Sequence, residues 1–538
     1  MKKYLLIAVC LGLVFGGLPF SADAMHHGKK GKRGGKQPNI IFVLTDDQRY
    51  DELGVLNRVL DTPNMDLMAK KGVHFRNAFV TTALCSPSRA SIMSGQYMHN
   101  HGVVDNNAGF QGDVVFFPEL LQKAGYKTAF VGKWHMGGHH DDPQKGFDHW
   151  VSFAGQGHYY PVKRGRSFNK LNVNGKKVVQ KGYITDELTD YAVSWLKERK
   201  RSSMDKPFFL YLSHKAVHSN FMPAKRHEEQ YARKRIPVPK SQADTPKNYK
   251  GKPRWVRDQR NSWHGVDFPY HSALNVQEYK RQYHRALSAV DDSLGVLFDW
   301  LRENGEADNT IVILMGDNGF LFGEHGLIDK RNAYEESMRV PMLFYSPGRN
   351  NRFSLQRGEE VEEMVANIDI APTILEMAGV QPIDQFDGES FFALAKGEKI
   401  ADWRSSILYE YYWEFNYPHT PTTFALRTDD YKLIQYHGVW DSDELYHIKK
   451  DPKESKNLID EPRLLKLKVE MRNKLYALLS NRKGQHVVPY TKKFNQGAVY
   501  RERSRSRVTP FPAHWLKREK EKGLYDHHTP DSTRIKKR

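Results

Sequence analysis

The chain has 538 residues, 39% of them apolar and 12% aromatic, and a formal net charge of +19. That length is more than one hydrophobic core serves, so two domains, or one large domain with a smaller appendix, are expected. The composition excludes a largely disordered chain, and beyond the N-terminus no stretch is apolar enough to span a bilayer.

Met1-Lys2-Lys3 is followed by an apolar run from Tyr4 to Phe20 and by Ala22-Asp23-Ala24. This is the layout of a secretory signal over residues 1–24, with a small-residue cleavage site and a run short for a membrane span. An uncleaved anchor is the alternative. The expected address is secreted or periplasmic, with no membrane span after signal cleavage. Residues 25–37 form a basic, Gly-rich linker holding Lys29, Lys30, Lys32, Arg33 and Lys36, and a second basic cluster, Arg501 to Arg507 and Lys536-Lys537-Arg538, closes the chain. Such runs are most often solvated tails, yet a basic surface gathers polyanions. For a secreted protein these are sulfated or carboxylated glycans, and no nucleic-acid fold signature is present.

Order begins at Pro38. Asn39-Ile-Ile-Phe-Val-Leu44 is an apolar run of strand length, as in a parallel sheet covered on both faces, and it ends in Thr45-Asp46-Asp47. The arrangement recurs: Lys127-Thr-Ala-Phe-Val131 runs into Gly132-Lys133-Trp134-His135, and Phe208-Phe-Leu-Tyr-Leu212 into Ser213-His214 and then His218. Thr310-Ile-Val-Ile-Leu314 likewise runs into Met315-Gly316-Asp317-Asn318. Ligands of open α/β sheets lie beyond the carboxyl ends of the strands, so four such endings predict one assembled site. Helices are expected from Pro63 toward Gly72 and over 286–304, where Ala289, Val290, Leu294, Leu297, Phe298 and Leu301 share a face. Residues 222–272, rich in Pro, Lys, Arg and Asn, read as a long insertion near or over the site.

The composition shifts again near residue 400. Segments 423–427, 431–435 and 444–446 read as short antiparallel strands, ahead of a helix through Leu464, Leu465, Val469 and Leu475. The expected layout is a catalytic domain over 38–400, a small antiparallel-sheet subdomain over 401–480 and a basic extension over 481–538.

With the leader and its Cys10 removed, Cys85 is the one cysteine left. It cannot be half of an internal disulfide, although exported chains usually carry cysteines in pairs. Ser86 is a suitable cap and Pro87 a suitable first residue for a helix through Ala90, Ser91, Ile92 and Met93. Cys85 then faces the helix N-terminus, where free N–H groups favour an anion, and Arg89, one turn in, can hold a charged oxygen. A buried free thiol is the ordinary alternative. Asp46-Asp47 and Asp317-Asn318 offer three carboxylates and an amide oxygen, a hard-oxygen set for Ca²⁺ or Mg²⁺ rather than zinc. Turns and caps are the ordinary use of such residues, but two pairs closing buried strands concentrate negative charge that calls for a cation.

Cys85-Ser86-Pro87-Ser88-Arg89, followed by Ser94-Gly95, resembles the signature of type I sulfatases, with Ser94 where that family usually has Thr. The resemblance extends over nearly all of residues 38–480. It implies an α/β fold: an alkaline-phosphatase-like large domain with a mostly parallel central sheet flanked by helices, plus a small C-terminal α+β domain with an antiparallel sheet. It also implies that a formylglycine-generating or anaerobic sulfatase-maturing enzyme oxidises Cys85 to formylglycine, whose hydrate attacks sulfur.

Carried over residue by residue, Asp46, Asp47, Asp317, Asn318 and the modified Cys85 bind the metal, calcium with magnesium as the alternative. Arg89 and Lys133 hold the hydrated aldehyde, Lys330 and His218 the sulfate and leaving oxygen, and His135 assists the final elimination. Asp317 is a candidate base for the attacking hydroxyl. Val217 stands where many members have Pro before the histidine matching His218. His214 reads as structural, and His325 is a candidate for a substrate subsite.

The phrases His99-Asn-His-Gly, Tyr334-Glu-Glu-Ser337 and Tyr409-Glu-Tyr-Tyr-Trp413 look most similar to the glycan-acting branch that contains N-acetylglucosamine-6-sulfatases. The expected reaction is hydrolysis of a sulfate ester on a carbohydrate, with Trp413, Tyr412 and His419 near the sugar and Gln156 and His158 as further candidates. Two rival classes remain at this point: a phosphoesterase or phosphonate hydrolase sharing the metal cluster, and a non-catalytic polyanion-binding protein in which Cys85 stays a thiol.

Overall fold

A computed structural model describes residues 36–481, except 139, 165–166, 204, 260–275, 415–416, 418 and 439–440. The expected signal, nearly all of the basic linker and the extension from 482 lie outside the described residues, as does the end of the 222–272 insertion.

Each apolar run becomes a strand of one ten-stranded sheet. Its strands in chain order are β1 (Asn39–Thr45), β2 (Val73–Phe75), β3 (Lys127–Lys133), β4 (His149–Phe153) and β5 (Lys170–Val173). They continue as β6 (Lys176–Val179), β7 (Phe208–Ser213), β8 (Thr310–Gly316), β9 (Met342–Tyr345) and β10 (Glu359–Val361). The spatial order is β10-β2-β9-β8-β1-β7-β3-β4-β5-β6. The centre, β8-β1-β7-β3-β4, is parallel throughout, and antiparallel strands extend it on both sides. The four strands with polar endings are therefore direct neighbours, and their endings open on the same edge.

Burial on both faces accounts for the unbroken apolar runs. Along β1, Ile40, Phe42 and Leu44 enter one core while Ile41 and Val43 enter the other. The second face is covered by α3 (Ile184–Ser202) and α4 (Val276–Glu303), through Leu188, Ala192, Leu196, Ala289, Leu294 and Leu297. The first is covered by α2 (Cys85–Ser94) and α5 (Ile370–Met377), with α1 (Pro63–Lys71) entering the other core through Met65 and Met68. A fully buried Leu, Ile or Phe contributes about 1.5–3 kcal/mol, so the strand endings rise from the part of the fold that is hardest to displace.

The α4 helix starts ten residues before the apolar stripe predicts. Tyr279 and Tyr283 in that added stretch are buried too, but as aromatic residues with polar ends they do not mark an apolar face. A separate antiparallel sheet contains β11 (Ser406–Tyr411), β12 (Thr422–Thr428), β13 (Tyr431–His437) and β14 (Glu444–His447), with α6 (Leu465–Asn481) against it. The first of these strands is not among those expected from the sequence. Ile407, Leu408, Tyr409, Tyr411 and Tyr412 all enter the core, so Tyr412 is a buried residue and not a sugar platform. The described part of the insertion reaches this sheet: Trp255 N–H donates to Asp441 at 3.0 Å and Gln259 to Thr420 at 2.8 Å.

Candidate active site

The loops leaving the central strands are tied to each other before any side chain is considered. Asp46 N–H donates to Ala216 at 2.9 Å and its carbonyl accepts from Val217, which locks the end of β1 to the loop after β7. Asp317 N–H donates to the Thr45 carbonyl at 2.8 Å, locking β8 to β1. Asp47 adopts a left-handed backbone with φ 58°, which turns its side chain back toward Asp317, whose Oδ1 accepts the Asp47 N–H at 3.0 Å.

Into this frame α2 delivers its first turn. The helix begins at Cys85, with Leu84 as the capping residue, so Ser86 and Pro87 lie inside the helix rather than at its cap and first position. The Ser86 hydroxyl is spent elsewhere, on the His135 carbonyl and, at 3.2 Å, the His135 Nδ1. Gly95 ends the helix in a left-handed conformation, φ 66°, that a side chain would strain.

Cys85 is fully buried at the centre of the group. Its thiol donates to Asp46 Oδ1 at 3.4 Å and its sulfur accepts from Lys330 Nζ at 3.1 Å. Lys330 also pairs with Asp47, and Lys133 with Asp46 and the Gln156 side-chain oxygen. Arg89 donates through Nε to Asp317 at 2.8 Å and through Nη1 to the Lys133 carbonyl at 2.8 Å and Ser213 at 2.6 Å. His218 Nε2 lies 4.0 Å from Asp47 Oδ2, its ring fixed by the Ser219 carbonyl at 2.6 Å. The structure thus brings together Asp46, Asp47, Cys85, Arg89, Lys133, His135, His218, Asp317, Asn318 and Lys330.

Burial and charge set the protonation states. Burial, with the neighbouring Asp46 carboxylate, pushes the Cys85 thiol up to about 12, so as cysteine it is no nucleophile at neutral pH. Burial, reinforced by Lys133 for His135 and by Lys330 for His218, holds both imidazoles well below the ordinary range, hence neutral. For Asp46, burial acts upward, but the cations Lys133, Arg89 and Lys330 together hold it well below the usual carboxylate range.

The expected deficit of positive charge is not what the site shows. Three carboxylates face three cations, Arg89, Lys133 and Lys330, and balance them. The fit to a metal rests on two buried oxygens instead. Asp47 Oδ2 and Asn318 Oδ1 have no hydrogen-bond partner among the described residues. Asp46, Asp47 and Asp317 each offer a carboxylate oxygen within 4.8 Å of the other two. A hard divalent cation satisfies both orphans and suits an all-oxygen donor set.

Beside the group opens a cavity of about 190 Å³, lined by Asn106, Asn107, His135, Gly138, Gly155, Gln156, Glu414 and Tyr417. From the C-terminal segment it is Glu414 and Tyr417, rather than Trp413 or His419, that line its described part. Glu414 grips Arg331 Nε at 2.8 Å and the Tyr417 ring lies 3.6 Å from that guanidinium, next along the chain to Lys330. Glu414 and Tyr417 are not expected from the sequence because no motif marks them; Asn106 accepts from Ser86 N–H at 3.1 Å. Trp413 and His419 are half-buried, and His158 is held at the margin through its carbonyl. His214 is buried, with Nε2 3.2 Å from Ser293 on α4, in keeping with a structural role. His325 lies apart from the Cys85 group, stacked on Tyr334 with ring centroids 3.9 Å apart and 3.8 Å from Glu336, buried where the large sheet's loops meet the smaller sheet.

The chain is similar to known proteins in sequence and in fold. Residues 38–380 match the sulfatase family, and residues 323–481 match the C-terminal region of N-sulphoglucosamine sulphohydrolase. The chain belongs to the sulfatase family. It is a sulfuric ester hydrolase built on the alkaline-phosphatase-like fold, and the expected fold class holds. An N-acetylglucosamine-6-O-sulfatase of Bacteroides thetaiotaomicron is 33% identical over 81% of this sulfatase and 85% of its own length. The N-acetylglucosamine-6-sulfatase of Capra hircus is 31% identical over 73% and 70%. A protein solved in complex with its substrate D-glucosamine-2-N,6-O-disulfate superposes with a TM-score of 0.75 at 32% identity, covering 84% of this chain and all of that one. The phosphonate monoester hydrolase of Agrobacterium radiobacter shares the fold, with a TM-score of 0.68 at 21% identity over 83% and 96% of the two chains.

Proposed function

We propose that this sulfatase is an exported, calcium-dependent enzyme that removes sulfate from a sulfated glycan, N-acetylglucosamine-6-sulfate or a closely related unit, using formylglycine made from Cys85. The observation that carries the reading is the setting of Cys85 at the start of α2, between Asp46 and Lys330, in the middle of the three-carboxylate group. A thiol there is protonated and a poor partner for a hard cation; its hydrated aldehyde supplies two oxygens where the sulfur stands. Asp46, Asp47, Asp317 and Asn318 would hold the calcium ion, which would supply Lewis acidity at the position of residue 85.

The remaining work falls to the chain's own side chains. Lys330 and His218 face the sulfate and the departing sugar oxygen, where Lys330 offsets the negative charge that grows on them. Arg89 and Lys133 fix the diol position, and neutral His135 is poised to accept a proton in the last elimination. Asp317 is the candidate base for the attacking hydroxyl. The cavity between His135, Gln156, Glu414 and Tyr417 takes the sugar.

Sulfate release from a panel of defined sulfated sugars tests the reading, alongside the mass of the Cys85 peptide from the native source. Release from N-acetylglucosamine-6-sulfate, with a peptide mass lower than the thiol requires, is the expected result. Faster turnover of phosphate or phosphonate esters, or an intact thiol in active enzyme, overturns it.

A further inference from the structure

We propose that Tyr283 is a positioning residue that holds the metal ligand Asp47 in its left-handed conformation. The proposal rests on the metal reading of the Asp46, Asp47, Asp317 and Asn318 group given above. Tyr283 is on α4, fully buried, and its hydroxyl makes two bonds to one turn of backbone. It donates to the Asp47 carbonyl at 3.0 Å and accepts from the Arg49 N–H at 3.1 Å. A single oxygen therefore closes both polar groups of a turn that would otherwise be left unmatched in the interior.

That turn has an unusual task. At φ 58°, Asp47 sits in a region that a residue with a side chain occupies at a cost, and it stays there when the surroundings over-determine it. On one side the carboxylate is fixed by Asn318 Nδ2 at 2.7 Å and by Lys330, and the N–H by Asp317 at 3.0 Å. On the other side Tyr283 fixes the carbonyl. Between these clamps Asp47 Oδ2 has no hydrogen-bond partner among the described residues, in a carboxylate that offers an oxygen within 4.8 Å of those of Asp46 and Asp317. The Tyr283 ring is itself immobilised by Phe221 and Phe322, with centroids 5.2 and 4.9 Å away. Burial holds the phenol far above its ordinary pKa, so it remains a donor at every working pH. Groups that orient metal ligands in this way typically control affinity by about 10- to 100-fold.

The test is calcium binding to chelator-stripped full-length protein, by calorimetry and by thermal shift, for the wild type, Tyr283→Phe and Phe221→Leu. Phe221→Leu loosens the same aromatic packing and keeps the hydroxyl. The expected result is a calcium Kd raised roughly tenfold in Tyr283→Phe, with kcat at saturating calcium changed far less, and an unchanged Kd in Phe221→Leu. Equal affinity in wild type and Tyr283→Phe overturns the proposal while leaving the metal site standing. An equal loss in Phe221→Leu assigns the effect to packing and also overturns it. A wild type that binds neither calcium nor magnesium removes the metal reading and the proposal together.

Discussion

Two regions of this molecule bury many charges, and they handle them differently. Around Cys85, Asp46, Asp47 and Asp317 pair with Lys133, Lys330 and Arg89, yet Asp47 Oδ2 and Asn318 Oδ1 have no hydrogen-bond partner among the described residues. Where the smaller sheet meets the large one, Lys432 Nζ lies 2.9 Å from Glu335 and 2.8 Å from Glu454, and Arg427 Nε 3.0 Å from Glu335. Glu444 takes the hydroxyls of Tyr334, Tyr436 and Tyr446, and Lys252 of the insertion reaches Glu444 and the Glu454 carbonyl. His325, Glu336 and Glu454 offer ligand atoms within 4.8 Å of each other, but here the ammonium of Lys432 already serves as the cation. Both clusters leave buried oxygens without a hydrogen-bond partner among the described residues, in the second Glu335 Oε2, Glu336 Oε2 and Glu454 Oε1. The difference is in their surroundings: the first lies at the ends of the central strands beside an open cavity, while the second is closed in around Lys432 and acts as mortar between sheets.

The sharpest way to break this contrast is at its centre. Cys85→Ala is expected to lower turnover by roughly 10⁴-fold or more while shifting the melting temperature by only a few degrees, measured by sulfate release and calorimetry. Retained activity would remove the nucleophile. Next is the mortar: Lys432→Met leaves Glu335 and Glu454 buried with less compensation and is expected to cost about 3–5 kcal/mol in denaturant unfolding. The folded fraction should keep its kcat within about twofold; a collapse of kcat would mean that the two clusters are one machine.

The pH dependence separates them further. Burial lifts Glu336 and Glu454 to about 7 from an ordinary 4.5; Glu324 adds to the rise at Glu336, and at Glu454 Lys432 offsets part of it. Between those limits the folded chain keeps protons that the unfolded chain has released, so this contribution to stability falls as pH rises through the window and is fully present below it. In saturating calcium, Glu336→Gln is expected to flatten the slope of melting temperature against pH from 4.5 to 7; an unchanged slope refutes the assignment. The smallest effect is expected at the cavity wall. Gln156→Ala should raise KM by roughly threefold to tenfold, since it loses one contact to Lys133 and one face of the sugar pocket, and a fall in kcat alone would place Gln156 in the chemistry instead.

Much of the site was legible because a parallel sheet writes its function in one place. Apolar runs stop, polar residues follow, and Asp46, Lys133, His218 and Asp317 are found where those stops coincide in space. Cys85 was legible because, once Cys10 is assigned to the expected leader, it has no cysteine left to pair with, and Pro87 and Arg89 set that thiol at a helix start beside a cation. What stayed hidden is what folding assembles from distant parts. Tyr283 reads as one more aromatic residue in a helix, and Glu414 and Tyr417 carry no pattern that points at a cavity. Tyr412, in an aromatic-rich stretch that suits a sugar, is buried instead: Ile407, Leu408, Tyr409 and Tyr411 of β11 enter the core with it, and Glu410 lies 2.9 Å from His99.

The complete enclosure of Cys85 bears on timing. Side chains from β1, β8 and the loops around them close over it, and none of its surface is open to solvent. Any catalyst that rewrites that residue has to meet it on a nascent or still extended chain, before the strands dock. On the formylglycine reading proposed above, conversion of Cys85 competes with folding, and a variant that folds faster should keep more of its sulfur intact.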